Sequence, residues 1–323
     1  MSTRAPFEIG DTIVEPGTAA HVQLPVSQLI TGAEISMPVI VLHGKTDGPA
    51  VWMNASVHGD ELNGVEVVNR VLADLDPKTM SGTLLAVPVV NVHGFMNGDR
   101  YLPDRRDLNR SFPGSSKGSL AARLAHIFMN EIVNRCEIGI DLHTASDNRT
   151  NLPQIRGNLD DPKTLELATV FGVPIMMHSK AGAGTLRSAA TKSGATVLLY
   201  EAGEAMRFNK RAISNGVNGV RRVLRHLEMA DWEGPERTTT EVSRSSRWMR
   251  ASKSGVLRLD VDLGDVVTER QILGTIIDAF GKKLSTVKST RAGVVIGRTL
   301  YPLCNKGDAL VHIAALDPGE AAP

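Results

Sequence analysis

Cysteine is almost missing: 323 residues hold two, Cys136 and Cys304. That excludes a disulfide scaffold, and their separation of 168 positions matches no metal or redox spacing. Both are expected as buried or half-buried thiols in a reducing compartment. Long apolar runs are missing too, and nothing approaches the ~18 residues of a membrane span. The first residues, Met1 to Asp11, carry acids and no apolar stretch, so a secretory signal is not expected and a cytoplasmic protein is. Neither sign of charge dominates: 36 Lys and Arg face 35 Asp and Glu, for a net +1. A nucleic acid or other polyanion held by bulk charge is therefore not expected. Strong repeats, low-complexity tracts, a Gly-rich phosphate loop and a Ser-His-Asp order are also wanting. What remains is ordinary for a soluble globular chain, 42% apolar and 22% charged. The length suits roughly two domains of ~100–200 residues.

The first ~35 residues read as short strands and turns, with weak alternation at Thr12–Val14 and His21–Leu24. From Pro38 on, short apolar runs bounded by turn residues alternate with helical patterns. Strands are expected at 38–43, 50–57, 83–90, 137–142, 173–177 and 196–200. Helices are expected at 61–75, 120–133, 165–171, 186–193 and 210–228. Such alternation predicts an α/β fold, with a mostly parallel or mixed central sheet and helices on both faces. Ligands of such sheets bind beyond the carboxyl ends of the strands. Near residue 231 the texture changes. Residues 232–247 read as a polar linker or crossing strand. Short β-like segments with regular turn residues follow, and the final Pro/Gly/Ala-rich residues are expected to fray. The boundaries expected are a catalytic α/β domain at 1–240, with a β segment at 1–35, and a small barrel-like β domain at 241–323.

Nine histidines occur, and two sit where strands should end. His58 lies in His58-Gly-Asp-Glu61, on a turn entering a helix, and His143 ends Asp141-Leu-His143. Two imidazoles and a carboxylate with an open fourth position are a common way to hold catalytic zinc. A His-x-x-Glu pair alone is weak, since a surface His beside a helix N-terminal acid looks the same. Asp107-Leu-Asn109-Arg110 offers an Asn–Arg pair, and the planar guanidinium fork suits a substrate carboxylate. Tyr200-Glu201-Ala-Gly203 places a carboxylate after an apolar strand, where a general base could stand. Each of these also reads as an ordinary loop or strand-end charge.

Taken together and in order, the four segments resemble the succinylglutamate desuccinylase/aspartoacylase family, which is related to zinc carboxypeptidases of the carboxypeptidase A type. The resemblance covers roughly residues 35–230, and the last ~80 residues look like the β domain that family members append. It implies one Zn²⁺ per chain on His58, Glu61 and His143, a carboxylate-binding pair at Asn109 and Arg110, and Glu201 as catalytic acid/base. Asp141 would orient a ligand imidazole. A further arginine near the reacting carbonyl would be Arg100, Arg105 or Arg106, with Arg106 favoured because it precedes Asp107. Glu204 ranks below Glu201, which alone takes the family position. The C-terminal segment from Leu263 resembles a biotinyl/lipoyl-type barrel, but Lys288 lacks a carrier lysine's context, so a wall over the cleft is expected.

The expected activity is zinc-dependent hydrolysis of the amide of a small N-acylated amino acid carrying a carboxylate. A metallocarboxypeptidase needs the same residues, and a non-catalytic binding protein stands behind both. Self-association is open. The same ligands accept cobalt, manganese or nickel.

Overall fold

The chain is described here by a computed structural model that covers residues 4–146, 148–235 and 239–316. Residues 236–238 of the expected linker and the terminal 317–323 lie outside the described residues.

The apolar runs form the middle of a large mixed sheet. Strands Thr196–Glu204, Ile138–Ala145, Thr46–Ala55 and Ser81–Val87 lie side by side and parallel. Glu34–His43 and Thr18–Gln28 continue the sheet antiparallel on one side, and Arg149–Gly157 does so on the other. Every residue of Ile138–Ala145 is buried, as a central strand covered on both faces requires. Helices Asn63–Ala73, Pro162–Phe171 and Lys210–His226 pack on one face. Leu120–Glu131 and Leu186–Lys192 pack on the other. In Lys210–His226 the buried Ile213, Val217, Val220 and Leu224 recur at helical spacing. Burying each such side chain is worth about 1.5–3 kcal/mol against leaving it exposed. Asn209 starts that helix by accepting from the Ala212 N–H at 3.0 Å, and Asp161 caps Pro162–Phe171 the same way.

Arg149–Gly157 was not expected as a strand, because it is polar and carries Pro153 in its middle. The proline sits where the strand changes partners. Residues up to Asn151 pair with Gly293–Thr299, and those from Gln154 on pair with Ile175–His178. At that change-over a missing N–H breaks no ladder.

The segment after 241 takes two forms. Ser246–Arg250, Ala309–Ala314 and Gly293–Thr299 extend the central sheet through Gly297, which pairs with Asn151. Gly255–Leu259, Ile272–Ile277, Lys283–Lys288 and Leu303–Cys304 make a separate four-stranded antiparallel sheet. Leu257, Val267, Leu273, Ile276 and Val311 form an apolar cluster of this segment's own. Among the described residues, no helix is long and apolar enough to cross a membrane.

Candidate metal centre and active site

The centre is built where two strands end. After Thr46–Ala55 the chain turns sharply before helix Asn63–Ala73, so Glu61 lies in the turn rather than in the helix. Ser56 takes a φ of 49°, and its Oγ donates to the Glu61 carbonyl at 3.1 Å. Gly59 has no alternative: a Cβ there would lie 2.0 Å from the carbonyl carbon of Gly94. The turn is thus seated on backbone, and His58 and Glu61 are fixed with it.

Both histidines turn Nδ1 toward Glu61. His58 Nδ1 is 2.8 Å from Oε1, and His143 Nδ1 is 2.8 Å from Oε2. The Thr144 N–H also donates to Oε2, at 3.0 Å. The three ligand atoms lie within 4.8 Å of one another, and all three residues are buried. The far nitrogens face aspartates. His58 Nε2 is 3.2 Å from Asp107 Oδ1, and His143 Nε2 is 3.0 Å from Asp141 Oδ2 in a bent ion contact. Behind Asp141 stands a relay: Asn54 Nδ2 donates to Asp141 Oδ1 at 2.7 Å, and Trp52 Nε1 donates to Asn54 Oδ1 at 2.9 Å.

Burial would raise the Glu61 carboxyl, but the two imidazoles outweigh it and hold the group well below the usual carboxylate range. Burial likewise opposes charge on His58, yet Glu61 and Asp107 raise it. His143 is raised further by Asp141 and Glu61 against the same burial. Cationic character is thus favoured at both ring nitrogens beside Glu61. A divalent ion would supply that character, and the donor set fits one: two imidazoles whose Nε2 atoms face carboxylates, and one carboxylate.

Glu201 is the register partner of His143 on the neighbouring parallel strand, which brings it to the same cavity. Its Oε2 accepts from Asn151 Nδ2 at 2.6 Å and lies 3.1 Å from Arg156 NH2. The strand is irregular between Glu201 and Gly203, which has a φ of +72°. A Cβ on Gly203 would come within 2.6 Å of Asn63 Nδ2. Glu204 falls outside the cavity and lines a neighbouring groove with Asp60.

Asp107 anchors the arginine loop. Its Oδ1 accepts from the Asn109 N–H at 2.8 Å, and its Oδ2 accepts from Arg100 NH2 at 3.0 Å. Asn109 and Arg110 both line the cavity. Asn109 Oδ1 accepts from the Leu186 N–H at 2.9 Å, which leaves its Nδ2 to donate. Arg110 NH1 donates to the Asn109 carbonyl at 2.6 Å.

Of the upstream arginines, it is Arg100 that reaches the centre, with NH1 3.5 Å from Glu61 Oε1. Arg106, favoured from the sequence, does not. Its side chain is 63% exposed and lies 3.7 Å from Asp104, because the loop turns outward between the left-handed Arg105 and Asp107.

The cavity has a volume of about 240 Å³. Among the lining residues that sequence reasoning missed are Arg149, Asn151 and Arg156 from the unexpected strand, and Trp248 and His312 from the C-terminal segment. Trp248 stacks on His312 with centroids 4.5 Å apart and 12° between the planes, and Arg149 lies over its ring at 5.4 Å. Burial, then the nearby Arg156, pushes His312 down to about 3, so its ring is neutral at pH 7.

The fold is thus a mixed α/β sheet that carries, at its strand ends, a His-Glu-His cluster able to hold a metal ion. Residues 47–227 match the succinylglutamate desuccinylase/aspartoacylase catalytic domain, and the chain belongs to that family. It is 27% identical over 308 residues to the N-α-acetyl-L-2,4-diaminobutyric acid deacetylase of Halomonas elongata, covering 90% of each chain. It is similar in structure to a succinylglutamate desuccinylase/aspartoacylase from Rhodobacter sphaeroides. There the TM-score is 0.82 and the identity 25%, over 93% of this chain and 96% of that one. The product-bound ectoine utilization protein of Ruegeria pomeroyi shares the fold, with a TM-score of 0.83 and 22% identity, over 92% of this chain and 95% of that one.

Proposed function

We propose that the chain is a zinc-dependent amidohydrolase that removes the acyl group from a small N-acylated amino acid. The observation that carries this reading is the convergence of His58 Nδ1 and His143 Nδ1 on Glu61, with Glu201 across the same cavity. The family and the Halomonas relative, whose name gives an N-acetylated diamino acid as substrate, support it.

Bound zinc would polarise the amide carbonyl and make a water more acidic. Glu201 takes the proton of the attacking water and returns it to the departing nitrogen. Asn151 and Arg156 both hold Oε2, so the carboxylate keeps one aim during that exchange. Arg100 faces the charge that grows on the carbonyl oxygen. Arg110, with Asn109 Nδ2, holds the substrate carboxylate and so sets orientation. Asp141 and Asp107 fix the ligand imidazoles with Nδ1 inward. Trp248 and His312 close the far side. The 241–323 segment, which we propose as a second domain, thereby restricts the cavity to small molecules.

The test is release of free amine from a panel of N-acetyl and N-succinyl amino acids, set beside a blocked dipeptide. Turnover of the acyl amino acids supports the reading. Turnover of the dipeptide alone makes the protein a peptidase instead.

A further inference from the structure

Along the wall of the cavity, register partners on neighbouring strands form one row: Trp248, His312, Gly297 and Asn151. Partners in register project to the same sheet face, so their side chains stand side by side. One place in the row has no side chain, at Gly297. The backbone does not ask for glycine there, because its φ lies outside the left-handed region. Space does. A Cβ on Gly297 would lie 2.8 Å from Asn151 Oδ1, 3.4 Å from His312 Cβ and 3.5 Å from Trp248 Cη2.

The Asn151 amide fills that space in one sense only. Its Nδ2 is 2.6 Å from Glu201 Oε2, and a carboxylate only accepts, so the NH2 must face Glu201. Oδ1 is thereby sent to the other side, over Gly297. Asn151 is buried, so these neighbours set its orientation. Arg156 holds the same Oε2 at 3.1 Å, while Glu201 Oε1 has no hydrogen-bond partner among the described residues. Oε1 is thus the atom left for proton exchange. A methyl group at 297 would meet one tight neighbour, Oδ1, which is the end of a side chain that can turn. The contacts to His312 and Trp248 are ordinary packing distances. The methyl would therefore push the amide off Glu201 and leave the strands where they are.

We propose that Gly297 is a positioning residue. It is the seat on which Asn151 lies between the C-terminal segment and Glu201, and so it fixes the aim of the carboxylate that moves the proton. Gly293–Thr299 then sets turnover as well as the size of the cavity. The inference rests on the reading of Glu201 as acid/base.

The experiment compares the full-length wild type, Gly297→Ala, Asn151→Ala and the double variant. The readouts are amine release from the N-acetyl and N-succinyl amino acid panel, zinc content, thermal denaturation and crystal structures. Gly297→Ala should lower kcat about 10–100-fold, since a small misplacement of a reacting group is enough for that. Its KM should stay within about threefold of wild type, because substrate binding is not touched. Zinc content and Tm should stay near wild type, and its crystal structure should show Asn151 turned away from Glu201. Asn151→Ala should lose kcat by a similar factor. The double variant should be no slower than Asn151→Ala, because without the amide the methyl displaces nothing, whereas two independent losses would multiply. If Gly297→Ala alone does not fold, a folded double variant with the kcat of Asn151→Ala supports the seat. Failure of both to fold overturns it, since the displacement would then reach beyond the amide. Multiplying losses, an unchanged kcat in either single variant, or an intact Asn151–Glu201 bond in the Gly297→Ala crystal also overturns it. Glu201→Gln separates the two readings. Turnover retained there, or none in the wild type, sinks the acid/base reading and this inference together. An inactive Glu201→Gln beside a normal Gly297→Ala sinks this inference alone.

Discussion

Asp141→Asn is expected to weaken zinc binding more than Asp141→Ala does, although it keeps the shape of the side chain. The reason lies in the relay. The Trp52 indole can only donate, so Asn54 must turn Oδ1 to it and Nδ2 to residue 141. An introduced amide must then place its oxygen toward Asn54 and its NH2 toward His143 Nε2. His143 would have to accept there and carry its proton on Nδ1, the atom that faces the centre. Loss of such a partner typically costs 10–100-fold in metal affinity, or about 1.4–2.7 kcal/mol. Asp141→Ala should fall in that range. Asp141→Asn should lie at its weak end or beyond, because the tautomer is now wrong as well as unsupported. Stability of the metal-free protein should rank the other way. Alanine strands the buried Asn54 Nδ2, at about 1–3 kcal/mol, whereas the amide satisfies it. Competition with a chromogenic chelator gives the affinities, and thermal denaturation of metal-free protein gives the stabilities. Zinc binding by Asp141→Asn within about threefold of wild type would refute the tautomer argument.

Glu201→Gln should retain zinc and lose about 10²–10⁴-fold in kcat, read from amine release on the best substrate; a loss of metal would mean that Glu201 is a ligand instead. Arg110→Met should raise KM by about tenfold or more and change kcat less, because it removes a contact made to bound substrate throughout. Metal-free protein should show an unusual pH profile. His58 and His143 are raised, so their contribution is complete below about pH 6.5 and is lost as pH climbs through the raised values. Glu61 and Asp107 are lowered, so theirs is present above about pH 4.3 and lost as pH falls. Melting temperature without metal should therefore peak between those limits and decline toward pH 9. Added zinc should remove the alkaline decline, since the ion replaces the protons. A flat metal-free profile above pH 6.5 would contradict the charge pattern at the centre.

The parts of the centre that lie close together in sequence were legible before the fold. His58-Gly-Asp-Glu61 is a single turn between a strand and a helix, and Gly59 marks the close backbone approach. Asp141 and His143 share a strand face two residues apart, so their association needs only alternation. Glu201 follows an apolar run that could only be a buried strand. What sequence hides is set by distant pairing. Arg100 rather than Arg106 enters the cavity because of how one loop turns, and three neighbouring arginines differ in nothing that periodicity reports. Arg149, Asn151 and Arg156 ride on a strand whose polar residues and Pro153 disguise it, since its polarity belongs to the cavity it lines. Trp248 and His312 come from a segment more than 90 residues beyond that strand and reach the site through the pairing of Gly293–Thr299 with the start of Arg149–Gly157. The Trp52–Asn54 relay reads in sequence as two ordinary positions of a buried strand.

The most direct test of the account is the metal content of purified protein, wild type beside His143→Ala, by elemental analysis. The account expects about one zinc per chain in the wild type and far less in the variant. No bound metal in the wild type after incubation with zinc, or full retention in His143→Ala, would contradict a metal centre on His58, Glu61 and His143.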